Sequence, residues 1–402
     1  MHIFVSYSQK NDAREAAEQA FCDLTANMAG MPDFLFVCYT EVYDSRAICS
    51  TLSRLAPKVP VHGASSCRGV MTGSGFIPGS PGALGLFGIY DPDGDYGVGL
   101  RCFEENPGQS GAEAVAESLE NAGRPGESPH FVWITATPGY EEKLLAGIES
   151  VLGPNVPVLG GSAADDTISG NWSVIGNGQS SRAAVAVSSV FSSVEPGFSF
   201  HSGYSPTSCF GVATKTNGRV LQEIDGRPAA LVYNEWTGGA VTPVLSMGGN
   251  VVQSTNWYPL ARFSHDLGKV PLYLLSHPET VLSDNSMSLF TDIHANDKIT
   301  LMTGNRKSLI NRAARVVESV LSSHDCQPDQ VRGALIVFCA GSMLAVRDDM
   351  EEVQHKIKWV LGDVPFLTLF TFGEQGCLTE GANCHGNLMI SVILFTNLPS
   401  AL

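Results

Sequence analysis

The chain has 402 residues, 44% of them hydrophobic and 16% charged, enough apolar material to bury a sizeable core over two domains. Twenty-four Lys and Arg against forty Asp and Glu leave a net charge of −16 with no basic cluster, which excludes a reader of nucleic-acid backbones. No run reaches the ~18 apolar residues of a membrane span, the N-terminus MHIFVSYSQKND lacks a basic lead, and the ten cysteines form no CxxC, so a cytoplasmic protein without nucleic-acid or membrane partners is expected.

In chain order, a short strand (residues 3–7) precedes a helix over 11–29, capped by Asn11 or Asp12 and stopped by Gly30. The apolar run FLFVCY at 34–39 is a buried strand, followed by a helix through Ile48, Leu52 and Leu55 and then by Val-Pro-Val-His-Gly-Ala-Ser-Ser at 59–66. Strands at 83–90 and 96–103 flank the turn 91–95, and a helix covers 109–121. FVWITA at 131–136 then restarts the same pattern, with a helix through Leu144, Leu145, Ile148 and Leu152 leading to Val-Pro-Val-Leu-Gly-Gly-Ser-Ala at 156–163.

From strand start to the proline is 26 positions in both copies, 34 to 60 and 131 to 157. A looser third copy runs from ALIVFCAG at 334–341 to Val-Pro at 364–365. Each copy is a strand–helix–strand unit, which makes parallel strand pairs with right-handed crossovers. The expected fold class is therefore α/β, with repeated strand–helix–strand units forming mixed, largely parallel sheets in two domains. Ligands of such sheets sit beyond the carboxyl ends of the strands. Those ends are 40–43, 63–66, 137–139, 160–166, 339–342 and 373–377, so Gly63, Gly160 and Gly373 mark three comparable corners.

After the second copy, strands at 183–190 and 194–200 lead to His201-Ser-Gly-Tyr-Ser-Pro. A hairpin follows, turning on Asn217-Gly218 as a type I′ pair. Asp225-Gly-Arg-Pro228 launches a helix to Trp236, and a domain boundary is placed there, giving domains 1–236 and 237–402. Further strands at 258–263, 272–275, 287–290 and 299–302 and a helix capped by Asn305 complete the second domain. The closing stretch 361–395 holds a strand, a Gly-Glu-Gln-Gly corner, a loop with Cys377, Cys384 and His385, and a last strand.

Taken in order, several segments resemble the FIST family, in which FIST N and FIST C modules run in tandem. They are Gly160-Gly-Ser-Ala-Ala-Asp165, His201-Ser-Gly-Tyr-Ser-Pro with the hairpin and Asp-Gly-Arg-Pro-Ala helix, Val337-Phe-Cys-Ala-Gly341, and Gly373-Glu374 with His385-Gly-Asn-Leu. The resemblance implies a sensor of signal transduction rather than an enzyme. In layout it is similar to the stand-alone nitric-oxide-sensing NosP proteins, which implies haem b as cofactor, a gaseous or small-molecule ligand, and a histidine kinase as partner; a homodimer is compatible with it. Ser342-Met343 departs from the family's basic residue after Cys-Ala-Gly, and Gly-Asn-Leu after His385 departs from its Asn-Gln-Thr.

The resemblance nominates Gly160, Gly161, Ser162, Asp165, Cys339, Glu374, Cys377, His385 and His201 as ligand-binding residues, with His385 and His201 as candidate haem ligands. Each has a plainer alternative. A histidine can be a satisfied structural side chain, Cys339 a small buried hydrophobe rather than a reactive thiol or soft-metal ligand, and Asp165 a backbone cap rather than a ligand contact. The competing readings are a sensor of amino acids or other metabolites without haem, and an enzyme using Cys339 or Cys377 with His385 as base.

Overall fold

The computed structural model describes residues 1–103, 105–267, 270–378 and 381–397. The sequence repeat is half of a larger one. Unit 1 comprises β1 (His2–Ser8), α1 (Ala13–Thr25), β2 (Phe34–Tyr39), α2 (Ser45–Leu55), β3 (Val61–Ser65), β4 (Gly69–Thr72), β5 (Gly75–Pro78) and β6 (Leu84–Tyr90). Unit 2 repeats that order with β7 (Asp95–Cys102), α3 (Pro107–Asn121), β8 (Phe131–Ala136), α4 (Glu141–Leu152), β9 (Val158–Ser162), β10 (Val174–Gly176), β11 (Gln179–Ser181) and β12 (Ala184–Phe191).

Unit 3 opens with β13 (Pro196–Ser202) and is then interrupted. The insert contains β14 (Ser205–Asn217), β15 (Val220–Ile224), β16 (Arg227–Pro228), α5 (Ala229–Trp236), β17 (Gly249–Asn250), α6 (Val252–Thr255), β18 (Leu260–Leu267), β19 (Val270–Ser276), β20 (Pro278–Val281), β21 (Met287–Leu289) and β22 (Lys298–Thr303), whose strands form one nine-stranded sheet. Unit 3 resumes with α7 (Arg306–Ser323), β23 (Val331–Cys339), α8 (Ala340–Ala345), α9 (Met350–Leu361), β24 (Phe366–Thr371), β25 (Glu374–Cys377), β26 (Asn383–Gly386) and β27 (Met389–Thr396). The boundary expected at 236/237 falls inside the insert, directly after α5.

Each unit builds a six-stranded sheet and borrows its last hairpin from another unit. The orders are β1-β6-β2-β3-β10-β11, β7-β12-β8-β9-β25-β26 and β13-β27-β23-β24-β4-β5. Unit 1 thus takes the hairpin of unit 2, unit 2 that of unit 3, and unit 3 that of unit 1. Among the described pairs the parallel ones are β2–β3, β8–β9 and β23–β24, one for each strand–helix–strand copy, set within mixed sheets.

Period-2 alternation shows how the three sheets stack. On β2, Phe34, Phe36 and Cys38 enter a central core that also holds Trp133 of β8 and Val337 of β23. Leu35, Val37 and Tyr39 face the other way, into a cluster with α1 and α2. Three sheets enclose one apolar centre, with a helix pair on the outside of each. Both faces of the inner strands are therefore buried, and their sequences are continuous apolar runs for that reason.

At the carboxyl ends of β3, β9 and β24 the units are tied in a ring. The N–H of Ala164 donates to Ser65 O at 3.0 Å, that of Phe372 to Ser162 O at 3.1 Å, and that of Cys67 to Phe370 O at 3.0 Å. The two donors of units 1 and 2 and that of unit 3 each lie seven residues after the Val-Pro proline (Pro60, Pro157, Pro365).

Two local expectations are corrected. The hairpin turn is Gly218-Arg219, because Asn217 pairs with Val220. Gly218 has φ 57° and the residues beside it do not have positive φ, the pattern of a type II′ turn rather than I′. The 373–385 corner and loop is largely sheet. Glu374–Cys377 is β25, hydrogen-bonded to both β9 and β26, and Cys377 and His385 lie on buried strands.

Candidate functional site

A cavity of about 780 Å3 lies where the carboxyl ends of the inner strands meet the insert. Cys67, Arg68 and Asp166 come from the segments after β3 and β9, Cys339, Gly341 and Arg347 from β23 and the α8 region, and Phe372 from the end of β24. The insert supplies the opposing wall with Asn250, Asn256, His277, Glu279 and Phe290. Placement beyond the strand ends is as the topology predicted.

The charges of this cavity are set by the loops that carry them. Arg68 stands at φ 56°, and its N–H donates to Asp166 Oδ1 at 2.6 Å, which fixes the two segments against each other. Its guanidinium reaches the Asp166 carbonyl at 3.4 Å, with no carboxylate ion pair among the described residues. Glu279 accepts from Ser288 Oγ at 3.0 Å. Asn256 is 9% exposed and its Oδ1 has no hydrogen-bond partner among the described residues. A buried acceptor left unmade costs about 1–3 kcal/mol, so a donor delivered by a ligand recovers that energy.

Gly341 shapes the same wall. A Cβ there would lie 2.7 Å from Leu388 Cδ2 and 3.7 Å from both Asn256 Oδ1 and Cys339 Sγ. The glycine of Cys-Ala-Gly therefore keeps the space beside those two groups open. Ser342 and Met343 leave the positions after it uncharged, and the cation on this side is Arg347, beyond the end of α8.

Of the nominated residues, Cys339 lines the cavity. Gly160 and Gly161 are interior to β9, where a Cβ would come within 1.8 Å of Ile134 O and 2.6 Å of Thr371 Cγ2. Asp165 is fully buried and spends its carboxylate on the N–H groups of Thr167, Ile168, Ser169 and Asn171, so it is the neighbouring Asp166 that reaches the cavity. Glu374 lies behind Cys339, accepting from Thr371 Oγ1 at 2.7 Å and from Met389 N at 3.1 Å. Burial raises its carboxyl to about 8. Cys377 is buried on β25, with its thiol raised by burial to about 11.

Ser162 and His385 belong to a second cluster, built around an ion pair that the sequence did not show. Arg219, at the insert's hairpin tip, donates to Glu141 Oε2 at 2.6 Å and Glu142 Oε2 at 2.7 Å, and its Nε reaches Asp292 at 3.3 Å. Ser162 Oγ donates to Glu141 Oε1 at 2.8 Å. Burial alone would raise Glu141, but His385 and Arg219 reverse it and hold the carboxyl at about 2. Glu141, Glu142 and His385 present ligand atoms within 4.8 Å of one another, a metal-like grouping. Arg219 already supplies the cation between the two carboxylates, so the cluster reads as an interface lock between core and insert.

Haem does not fit the histidines nominated for it. His385 has both ring nitrogens engaged, Nδ1 with Gln375 Nε2 at 3.1 Å and Nε2 with Phe290 O at 3.4 Å. His201 lies on β13, away from the cavity lining, and burial lowers it to about 4. His277, which does line the cavity, meets Thr255 Oγ1 through Nε2 at 3.0 Å. The enzyme pairing is not assembled either, because those contacts of His385 leave no thiol as its partner.

Sequence reasoning missed Arg68, Asn256 and Glu279, whereas Asp166 lay inside the corner drawn at 160–166. The repeat held a signal for Arg68: residues 67–68, 164–165 and 372–373 follow the Val-Pro proline by equal steps, and the corner drawn at 63–66 stopped two residues short of it. The insert residues carry no motif.

No curated protein matches the chain. Two solved structures are similar to it. One, titled "Cyanuric acid hydrolase: evolutionary innovation by structural concatenation", is 11% identical with a TM-score of 0.40, over 98% of this chain and 99% of that one. The other, a cyanuric acid hydrolase from A. caulinodans, is 8% identical with a TM-score of 0.38, over 99% of each. The FIST N domain matches residues 33–227 and the FIST C domain residues 229–377. With the two modules in tandem over most of its length, the chain belongs to the FIST family of signal-transduction sensor domains.

Proposed function

We propose that this protein is a sensor whose cavity between core and insert takes a small molecule with an N–H donor and an anionic group, the chemistry of an amino acid or a related metabolite. The observation that carries this reading is Asn256 Oδ1, a buried acceptor without a partner on the wall of a 780 Å3 cavity. Arg68 and Arg347 supply cations for a carboxylate, and Glu279 and Asp166 supply acceptors for an ammonium group. Its opposing walls belong to the three-unit core and the insert, so occupancy changes how the two halves press on each other. That change is what a partner protein, a histidine kinase in the simplest arrangement, would read, and the protein itself would turn nothing over.

Thermal unfolding against an amino-acid and metabolite set tests this directly. The expected result is a ligand that raises Tm in the native protein and fails to do so in Asn256→Leu, whose baseline Tm stays close. A set without any such ligand, or equal shifts in both proteins, overturns it. Haem-based nitric-oxide sensing gains no support from the positions of His201 and His385. A haemin titration that gives a stable Soret band, lost in His385→Ala or His201→Ala, would restore that version.

A further inference from the structure

The three units differ at one equivalent position, and that position is the floor of the cavity. In unit 1, Tyr39 pairs with Leu84, and the next residue, Thr40, uses Oγ1 to accept the N–H of Ala83 at 3.1 Å. In unit 2, Ala136 pairs with Val185, and Thr137 Oγ1 accepts the N–H of Ala184 at 3.2 Å. In unit 3, Phe338 pairs with Ile390, and the residue in the threonine's place is Cys339. A thiol is a weak acceptor, and the corresponding N–H, that of Met389, is taken by Glu374 Oε2 at 3.1 Å instead.

Two units therefore satisfy this amide with a neutral hydroxyl. The third does so with a carboxyl group that is 0% exposed, a costly choice that the fold does not require. The same carboxyl is held between Thr371, the β24 partner of Cys339, and Met389, the facing residue on β27, which places it beside the Cys339 side chain. Cys339 lines the cavity, and Gly341 keeps open the space that Cys339 Sγ shares with the unpartnered Asn256 Oδ1. A thiol, a carboxyl placed beside it and an acceptor waiting for a ligand N–H thus come together at one end of the cavity.

We propose that Cys339 is a covalent capture site for α,β-unsaturated carbonyl compounds bearing an N–H beside the carbonyl, with Glu374 taking the thiol proton and Asn256 orienting the ligand through its N–H. The step is an addition. The sulfur bonds to the β-carbon, the carbon–carbon double bond becomes single, and the proton leaves sulfur for the Glu374 carboxylate and is delivered to the α-carbon. Nothing is oxidised and no group departs. Burial pushes the Cys339 thiol well above its ordinary range, so it reacts through a base at the moment of attack rather than as a standing thiolate. Glu374, raised by burial to about 8, is near the operating range of such a base. The capture rests on the cavity being the ligand site.

Maleimide, which carries the N–H, is the probe, and peptide mass mapping of the full-length native protein follows each cysteine in time. Cys38 is the internal reference, since it is 0% exposed but lies in the central core away from the cavity. Cys22 and Cys102 are the exposed references. Cys339 should label at least ~10-fold faster than Cys38, and N-methylmaleimide, without the N–H, should label it several-fold more slowly than maleimide does while treating Cys22 alike. Glu374→Gln should slow Cys339 by roughly tenfold or more, the low end of what general base catalysis supplies, and leave Cys22 and Cys102 unchanged.

Labelling of Cys339 no faster than Cys38 overturns the proposal, as does an unchanged rate in Glu374→Gln. If that variant does not fold, the comparison of Cys339 with Cys38 and of the two maleimides decides on the native protein alone. A ligand that raises Tm through Asn256 without any Cys339 adduct defeats the capture step only. Absence of both defeats the cavity reading as well.

Discussion

The N–H of Cys67 donates to the carbonyl of Phe370 at 3.0 Å, joining unit 1 to unit 3 across nearly the whole chain. The bond is one third of a ring, and the hairpins behind it are exchanged in the same cyclic order: β4–β5 completes the sheet of unit 3, and β25–β26 that of unit 2. The two family modules are thus continuous in sequence but interleaved in hydrogen bonding.

A chain cut between 236 and 237 should not give an independently folded N-terminal half. Residues 1–236 alone leave β4 without β24 and β9 without β25, which exposes two unpaired strand edges over an apolar face. The expected outcome is an aggregating fragment with little amide-exchange protection in β4 and β9. Co-expression with residues 237–402 should restore both solubility and protection. A monomeric, fully protected 1–236 fragment would show that the interleaving is dispensable.

The Arg219 lock should be costly to break from one side. Glu141 is 3% exposed, and removing its cation leaves a buried carboxylate uncompensated, a class of change worth about 3–5 kcal/mol. Arg219→Met should therefore lower stability by roughly 3 kcal/mol in denaturant unfolding. The double variant Arg219→Met with Glu141→Gln should recover part of that loss, because the orphaned charge is gone. Additive losses would mean that the pair does not act as a unit.

Stability should fall on both sides of neutrality, for opposite reasons. Burial lowers His62 to about 3 and His277 to about 4, from an ordinary 6.5. The unfolded chain binds more protons than the folded one below 6.5, so stability drops as pH falls from 6.5 towards 4 and 3. Glu141 adds a further loss between 4.5 and about 2. Glu374, raised from 4.5 to about 8, has the reverse sign: its contribution is full below 4.5 and is lost as pH rises through 8. Glu374→Gln should flatten the loss between pH 5 and 9 and leave the acid limb in place. His62→Gln should soften the acid limb, since the ring it replaces bridges Ser188 and Thr135 in neutral form.

The sequence showed the three Val-Pro units because each inner strand is buried on both faces, a demand that leaves FLFVCY, FVWITA and ALIVFC equally apolar. It did not show the hairpin exchange, since β4, β10 and β25 pair with strands more than a hundred residues away and nothing local encodes that choice. Arg219 was hidden for a smaller reason. Asn217-Gly218 is a strong turn signal, but the register slides by one and places the arginine at the tip. Cys339 could be found because it ends a strand in a repeat. Asn256 could not, because its meaning comes from a wall across the cavity.

Two glycines that the family motifs single out should separate fold from function. Gly160 has φ 152°, and a Cβ there would lie 1.8 Å from Ile134 O, a backbone atom of the paired strand. Gly160→Ala should cost on the order of 3 kcal/mol or more, because neither strand can yield without breaking the β8–β9 ladder. Gly341→Ala meets the far end of Leu388 at 2.7 Å, a side chain that can rotate away, so its stability cost should be about 1 kcal/mol. The methyl group would still stand 3.7 Å from Asn256 Oδ1 and Cys339 Sγ, in the space assigned to the ligand. Ligand-induced Tm shifts should therefore vanish in Gly341→Ala while its baseline unfolding stays near the native value. Ligand shifts of native size in that variant would place the binding site elsewhere, and a stability loss matching that of Gly160→Ala would make Gly341 a packing residue like it.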